Sequence, residues 1–102
     1  MSHQVQHNSE QHRFEVDLGG ATAVAAYSLH EGTIVFTHTE VPEQHEGKGI
    51  GTLLIKAGLD FARAEGLEVV PSCPFFAAYM KKHAEVQDLL SDYDREHLNI
   101  TN

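Results

Sequence analysis

The sequence is poor in cysteine, in cations and in long apolar runs. Its one cysteine, Cys73, has no partner for an internal disulfide, so a disulfide scaffold is excluded and a reducing, cytoplasmic setting is the simplest expectation. Lys and Arg total 7 against 15 Asp and Glu, a net charge of -8 with histidine neutral. Such a surface repels nucleic acid and anionic membranes, so neither is expected as a partner. No apolar run approaches the ~20 residues of a membrane span. The stretch from Met1 to Arg13 is polar and histidine-rich, without the apolar segment of a secretory signal. His3, His7 and His12 fit no structural zinc spacing and have no cysteine beside them, so no metal is expected. What remains is a chain of 102 residues, 41% apolar and 22% charged. That is the composition of one globular domain, expected to be a monomer with a small core.

The order of patterns gives the architecture. Residues 1–11 hold one apolar side chain beyond Met1, Val5, and read as a disordered arm. From His12 to Leu18, Phe14, Val16 and Leu18 alternate with polar residues, the mark of a half-buried strand. Gly19-Gly20 makes a tight turn, residues 21–29 a small, apolar, central strand, and residues 33–41 a β-branched and aromatic strand that Pro42 ends. Three such strands read as an antiparallel meander. After a glycine-rich stretch, Ile50, Leu53, Leu54, Ala57 and Phe61 mark an amphipathic helix that runs to about Glu65 and stops at Gly66. Residues 67–73 read as a fourth strand, parallel to the third because a helix crosses between them. Pro74 opens a second helix ending near His83, and a short helix follows at about Glu85–Leu90. Residues 92–102 read as a flexible tail. The expected fold is thus α/β with a mixed sheet over residues 12–91: a three-strand meander, a βαβ crossover and C-terminal helices.

The segment Glu46-Gly47-Lys48-Gly49-Ile50-Gly51-Thr52 lies between strand and helix. Glycines permit positive φ and close approach of a ligand. Successive N–H groups at a helix N-terminus carry about half a positive charge, and together they form an anion site suited to phosphate or pyrophosphate. A β-branched residue at Gly49 is expected to fill that cradle. The loop is too short for a P-loop, and GxGxxG is absent. Both nucleotide readings are therefore disfavoured.

A meander, then a glycine loop, a helix and a parallel strand resembles the GNAT-type N-acetyltransferase superfamily. The chain is most similar to its minimal members of about this length. The resemblance covers about residues 12–91 and rests on His38-x-Glu40-Val41-Pro42, on Gly47-Lys48-Gly49-Ile50-Gly51, and on Pro71-x-Cys73-Pro74-Phe75-x-x-x-Tyr79 followed by His83. The superfamily's loop reads Arg/Gln-x-x-Gly-x-Gly/Ala and binds the pyrophosphate of acetyl-CoA. Gly49 and Gly51 match, whereas Glu46 stands where a basic or amide residue leads the pattern, a departure that Lys48 partly offsets. The resemblance implies a GNAT-like fold, acetyl-CoA as cofactor, and acetyl transfer to an amine. An acidic surface favours a cationic acceptor, a protein lysine or a small amine. The alternative from another class is a CoA- or acyl-CoA-binding module without catalysis.

Within that resemblance particular residues acquire roles. Gly47, Lys48, Gly49, Ile50, Gly51 and Thr52 would hold the diphosphate. Val41 would offer its backbone to the pantetheine arm as if to another strand. The end of strand three and the start of strand four would flank the cofactor. Lys82 is a candidate for the 3′-phosphate. His38 and Glu40, on one face of a strand by its period of two, are candidate bases for the amine, with His38 preferred for its near-neutral titration. Cys73, before a helix N-terminus that lowers a thiol's pKa, is a candidate nucleophile, although most of the superfamily uses direct attack by the amine. A tyrosine on the following helix protonates the departing thiolate in the wider superfamily, and Tyr79 matches it. Each has a plainer reading: His38 and Glu40 as surface residues, Cys73 as a small core residue, Tyr79 as a core partner of Phe75, Phe76 and Met80, and the lysines as solubilising charge.

Overall fold

A computed structural model describes residues 4–97. One five-stranded sheet runs in the order β1 (Val5–Asn8), β2 (Arg13–Asp17), β3 (Thr22–His30), β4 (Thr33–Glu40), β5 (Glu68–Pro71). The first four strands are antiparallel and β5 is parallel to β4. Helix α1 (Ile50–Glu65) forms the crossover, α2 (Pro74–Lys82) follows β5, and α3 (Asp92–His97) ends the described chain. This is the mixed sheet expected from the patterns, a meander followed by a βαβ crossover, with one more strand at its edge. The third short helix is a 3-10 turn, Ala84–Leu89. Among the described residues no helix is long and apolar enough to cross a membrane.

The expected N-terminal arm needs correction. Val5–Asn8 pairs with β2 as an edge strand, Val5 opposite Val16 and His7 opposite Phe14. The reason lies in His7. Its ring stacks on Phe14, with centroids 4.3 Å apart, meets Phe61 edge-on at 4.5 Å, and its Nε2 is hydrogen-bonded to the Tyr27 hydroxyl. An imidazole counted as polar thus packs as an aromatic. The expected tail over 92–102 is likewise corrected where it is described. Ser91 accepts the Asp94 N–H at 3.1 Å and donates to the Asp94 carboxylate at 2.9 Å, an N-cap that starts α3. Residues 1–3, which include His3, and residues 98–102 lie outside the described residues.

One layer of helices covers one sheet face. Phe14, Val16, Ala23, Ala25, Tyr27, Ile34, Phe36 and Val69 meet α1 and α2 there. The buried stripe of α1 is Ile50, Leu54, Ile55, Gly58, Leu59 and Ala62, about one residue round from the expected one, and Leu53 is exposed. Gly58 explains the offset: a Cβ there would sit 2.8 Å from Phe36, so α1 lies against the Phe36 ring, which stacks on Phe76 at 4.0 Å. Gly66 ends α1 at φ +67°, the left-handed cap. Arg63 of α1 grips the Asp88 carboxylate with two bonds of 2.9 Å and donates to Glu85 O at 3.0 Å, tying the 3-10 turn to α1. That bidentate bond holds the Asp88 carboxyl below the usual carboxylate range.

Candidate functional site

The site begins where β4 and β5 part. Their pairing ends at Phe36 opposite Pro71, with one further bond from the Cys73 N–H to Phe36 O at 2.9 Å. Because the strands are parallel, both C-terminal ends lie at this end of the sheet. The expectation that the end of one strand would lie beside the start of the other is corrected accordingly. From His38 to Glu40, β4 pairs with β3 on one side and with no strand on the other. Backbone donors and acceptors therefore face the gap.

A bulge sets which side chains enter it. Ala26 is opposite His38 and Tyr27 opposite Phe36, which leaves Thr37 unpaired. One extra residue reverses the alternation. His38 and Glu40 would otherwise follow Ile34 and Phe36 into the core; instead both are exposed and Thr39 is buried. His38 Nε2 lies 3.3 Å from the Glu40 carboxylate, so the two form an exposed ion pair whenever the imidazole is protonated. They share a face, as the period of two predicts, and that face is the solvent one.

The glycine loop closes the other wall. Pro42 leads into a 3-10 turn, Glu43–His45, and then Gly47 and Gly49 adopt φ +81° and +79°. Gly49 is the N-cap of α1, with no side-chain cap and no acidic residue in the first turn. A helix start leaves its first N–H groups unpaired, and here no side chain supplies an acceptor. Nothing lies within 4 Å of a Cβ built on Gly47 or Gly49. These glycines serve the backbone turn, and a β-branched residue at 49 would strain that turn, which replaces the expected reason of filling a cradle. Gly51 is the reverse case. It is helical, and its Cβ would meet only Val41 Cγ2 at 3.8 Å. No contact inside the chain requires a glycine there, yet glycine costs a helix up to about 1 kcal/mol relative to alanine.

Between these walls opens a cleft of about 490 Å³. Thr39, Glu40 and Val41 come from β4, and His45, Glu46, Gly47 and Gly49 from the loop. Helix α1 adds Ile50, Gly51, Thr52 and Ile55, and α2 adds Phe75. Thr52, Ile55 and Phe75 also line a second hollow of about 340 Å³ with Ala78, Tyr79, Lys82 and His83. The two form one groove between α1 and α2, with the ring of Phe75, 56% exposed, at their junction. Tyr79 stacks on His83 at 3.9 Å, and His83 Nδ1 donates to Tyr79 O at 2.7 Å. Lys48 and His38 are exposed outside both hollows. Cys73 is 3% exposed and lies behind Thr39, its thiol donating to Thr39 Oγ1 at 3.2 Å. The sequence reading missed Thr39, Ile55, His45 and Phe75. For Thr39 no sequence signal existed, since alternation without the bulge gives it the opposite face.

A family model for GCN5-related N-acetyl-transferases matches residues 13–89. The chain belongs to that family. Other members are similar over most of its length. Protein NATD1 of Gallus gallus is 37% identical over 83 residues, 78% of this chain and 76% of that protein. Protein NATD1 of Homo sapiens is 37% identical over 82 residues, 78% of this chain and 73% of that one. A GCN5-like protein of Staphylococcus aureus, solved in solution by NMR, superposes with a TM-score of 0.69 at 26% identity, covering 86% of this chain and 87% of that one. Family and fold alike are those of N-acetyltransferases. The GCN5-related match spans both strands of the gap, the glycine loop and α2, and so contains the whole cleft.

Proposed function

We propose that this protein is an acetyl-CoA-dependent N-acetyltransferase acting on a primary amine, a protein lysine or a small cationic amine. One observation carries the reading: an uncapped, acid-free helix N-terminus and an unpaired strand edge face the same cleft. The first suits a diphosphate and the second an extended amide-bearing arm. Gly51 supports the fit, because its missing Cβ serves an approaching ligand and no contact within the chain.

In this reading Gly47, Gly49, Ile50, Gly51 and Thr52 hold the diphosphate through backbone N–H groups, with Lys48 adding charge from the rim. Val41 pairs its backbone with the pantetheine arm. Lys82, in the second hollow, meets the 3′-phosphate. Acetyl-CoA supplies the activated acyl thioester. Glu40 takes the proton from the incoming ammonium, and His38, 3.3 Å from that carboxylate, passes it to solvent. The open, acid-lined mouth attracts a cationic acceptor. Burial of Cys73 beneath Thr39 favours direct attack by the amine over an acetyl-cysteine intermediate. The family resemblance offers Tyr79 as an acid for the departing sulfur, a role that holds only if the sulfur lies by the second hollow, since Tyr79 does not line the cleft itself.

The test is acetyl-CoA with N-α-acetyl-lysine amide or spermidine, following free CoA by chromatography and the protein by intact mass. Release of CoA with acetylated amine and no acetyl adduct on Cys73 is the expected result. CoA binding without release would reassign the chain as a binding module.

A further inference from the structure

We infer that Thr39 and Cys73 form a proton relay that protonates the sulfur leaving the acyl donor. The inference rests on the acetyl-CoA reading and adds a catalytic residue, Thr39, and a positioning residue behind it, Cys73. Apart from the Tyr27 phenol and the Cys73 thiol, Thr39 is the one buried polar side chain among the described residues, 8% exposed. Valine would fill its place without the cost of burying a hydroxyl, so the oxygen at this core-facing position calls for a use. The Cys73 thiol donates to Thr39 Oγ1 at 3.2 Å. A hydroxyl both accepts and donates. With its acceptor side taken by Cys73, Thr39 keeps one hydrogen to give, and the open space it borders is the cleft. A donor that itself accepts a hydrogen bond is polarised and becomes the better donor.

Cys73 is suited to the far end of such a relay. It is the N-cap of α2, followed by Pro74, which has no N–H. The N–H groups of the first helical turn, which have no partner within the helix, begin at this position. The step balances as follows. The acceptor nitrogen forms its bond to the carbonyl carbon and gives up a proton to Glu40. The carbon–sulfur bond breaks with its electron pair on sulfur. Thr39 passes its hydroxyl hydrogen to that sulfur and takes the Cys73 hydrogen in return. Cys73 remains as a thiolate, and a solvent proton, the counterpart of the one that Glu40 and His38 release, restores it through Thr39.

The experiment compares wild type, Thr39→Val, Thr39→Ser, Cys73→Ala, Cys73→Ser and Tyr79→Phe. Calorimetry with CoA measures binding, CoA release from acetyl-CoA with the same two amines and with water gives kcat and KM, and Raman spectroscopy reads the thiol S–H band, which a single cysteine makes unambiguous. In Thr39→Val, kcat is expected to fall about 100-fold, with CoA affinity and KM for acetyl-CoA held and the S–H band shifted to that of a weaker hydrogen bond. Thr39→Ser restores both kcat and the band. Cys73→Ser, which keeps a donor, outperforms Cys73→Ala. Failure of wild type to bind CoA would overturn the acetyl-CoA reading and the relay with it. CoA binding with no release in wild type would make the chain a binding module and end the transferase reading and the relay together. Normal wild-type turnover with kcat or the S–H band unmoved in Thr39→Val, or with the loss of kcat confined to Tyr79→Phe, would overturn the relay alone.

Discussion

Gly58 and Gly51 lie seven residues apart on one helix and are glycine for opposite reasons. At Gly58 the chain itself fills the space, since a Cβ would meet Phe36 at 2.8 and 2.9 Å and Phe76 at 3.4 Å. Both rings are fully buried and stacked, so neither can swing away. Gly58→Ala is therefore expected to destabilise by about 1–3 kcal/mol as α1 is pushed off the sheet, measured by urea unfolding, despite alanine's better helix propensity. At Gly51 only Val41 is near. Gly51→Ala is expected to unfold later, by up to about 1 kcal/mol, and to bind CoA more weakly, because its Cβ enters the space left for the ligand. Gly51→Leu, which extends into the cleft, should retain stability and lose CoA affinity tenfold or more, about 1.4 kcal/mol. Equal CoA affinity in Gly51→Leu and wild type would remove the diphosphate from this wall.

At the scale of elements, the first strand and the bulge were the hidden ones, and both for a physical cause. Val5–Asn8 carries one aliphatic side chain, so no alternation marks it; the strand is held by His7 acting as an aromatic ring against Phe14, Phe61 and Tyr27. Burial pulls the His7 pKa below its ordinary value of 6.5. The unfolded chain therefore binds more protons near that pH, and stability is present above 6.5 and lost as pH falls through the lower folded value. The thermal unfolding midpoint should fall between pH 7 and the mildly acidic range. In His7→Gln that part of the slope should vanish; an unchanged slope would mean that other groups carry it. The β4 bulge is invisible because one extra residue leaves composition untouched while reversing every side chain after it. By contrast, α1 was legible from end to end, since it has an αL glycine on each side and a periodic apolar stripe. The Pro74 start of α2 was as plain.

At the scale of the molecule, the order of elements was readable, and the order fixes the site. A helix must cross between β4 and β5, so their C-terminal ends and the α1 N-terminus come to one end of the sheet, where ligands of such folds bind. Sequence motifs located the loop wall of that site, while Thr39 and the junction at Phe75 required the three-dimensional arrangement. With one layer of helices, a domain this small builds a groove open to solvent. That shape suits an acceptor amine carried on a larger molecule. The most direct test of the account is a titration with CoA followed by amide chemical shifts. The largest changes are expected at the Gly47–Thr52 amides and along Thr39–Val41, with smaller ones at Phe75 and Lys82 along the groove. Saturation with no change at those amides, or changes centred on the β1–β2 edge, would contradict it.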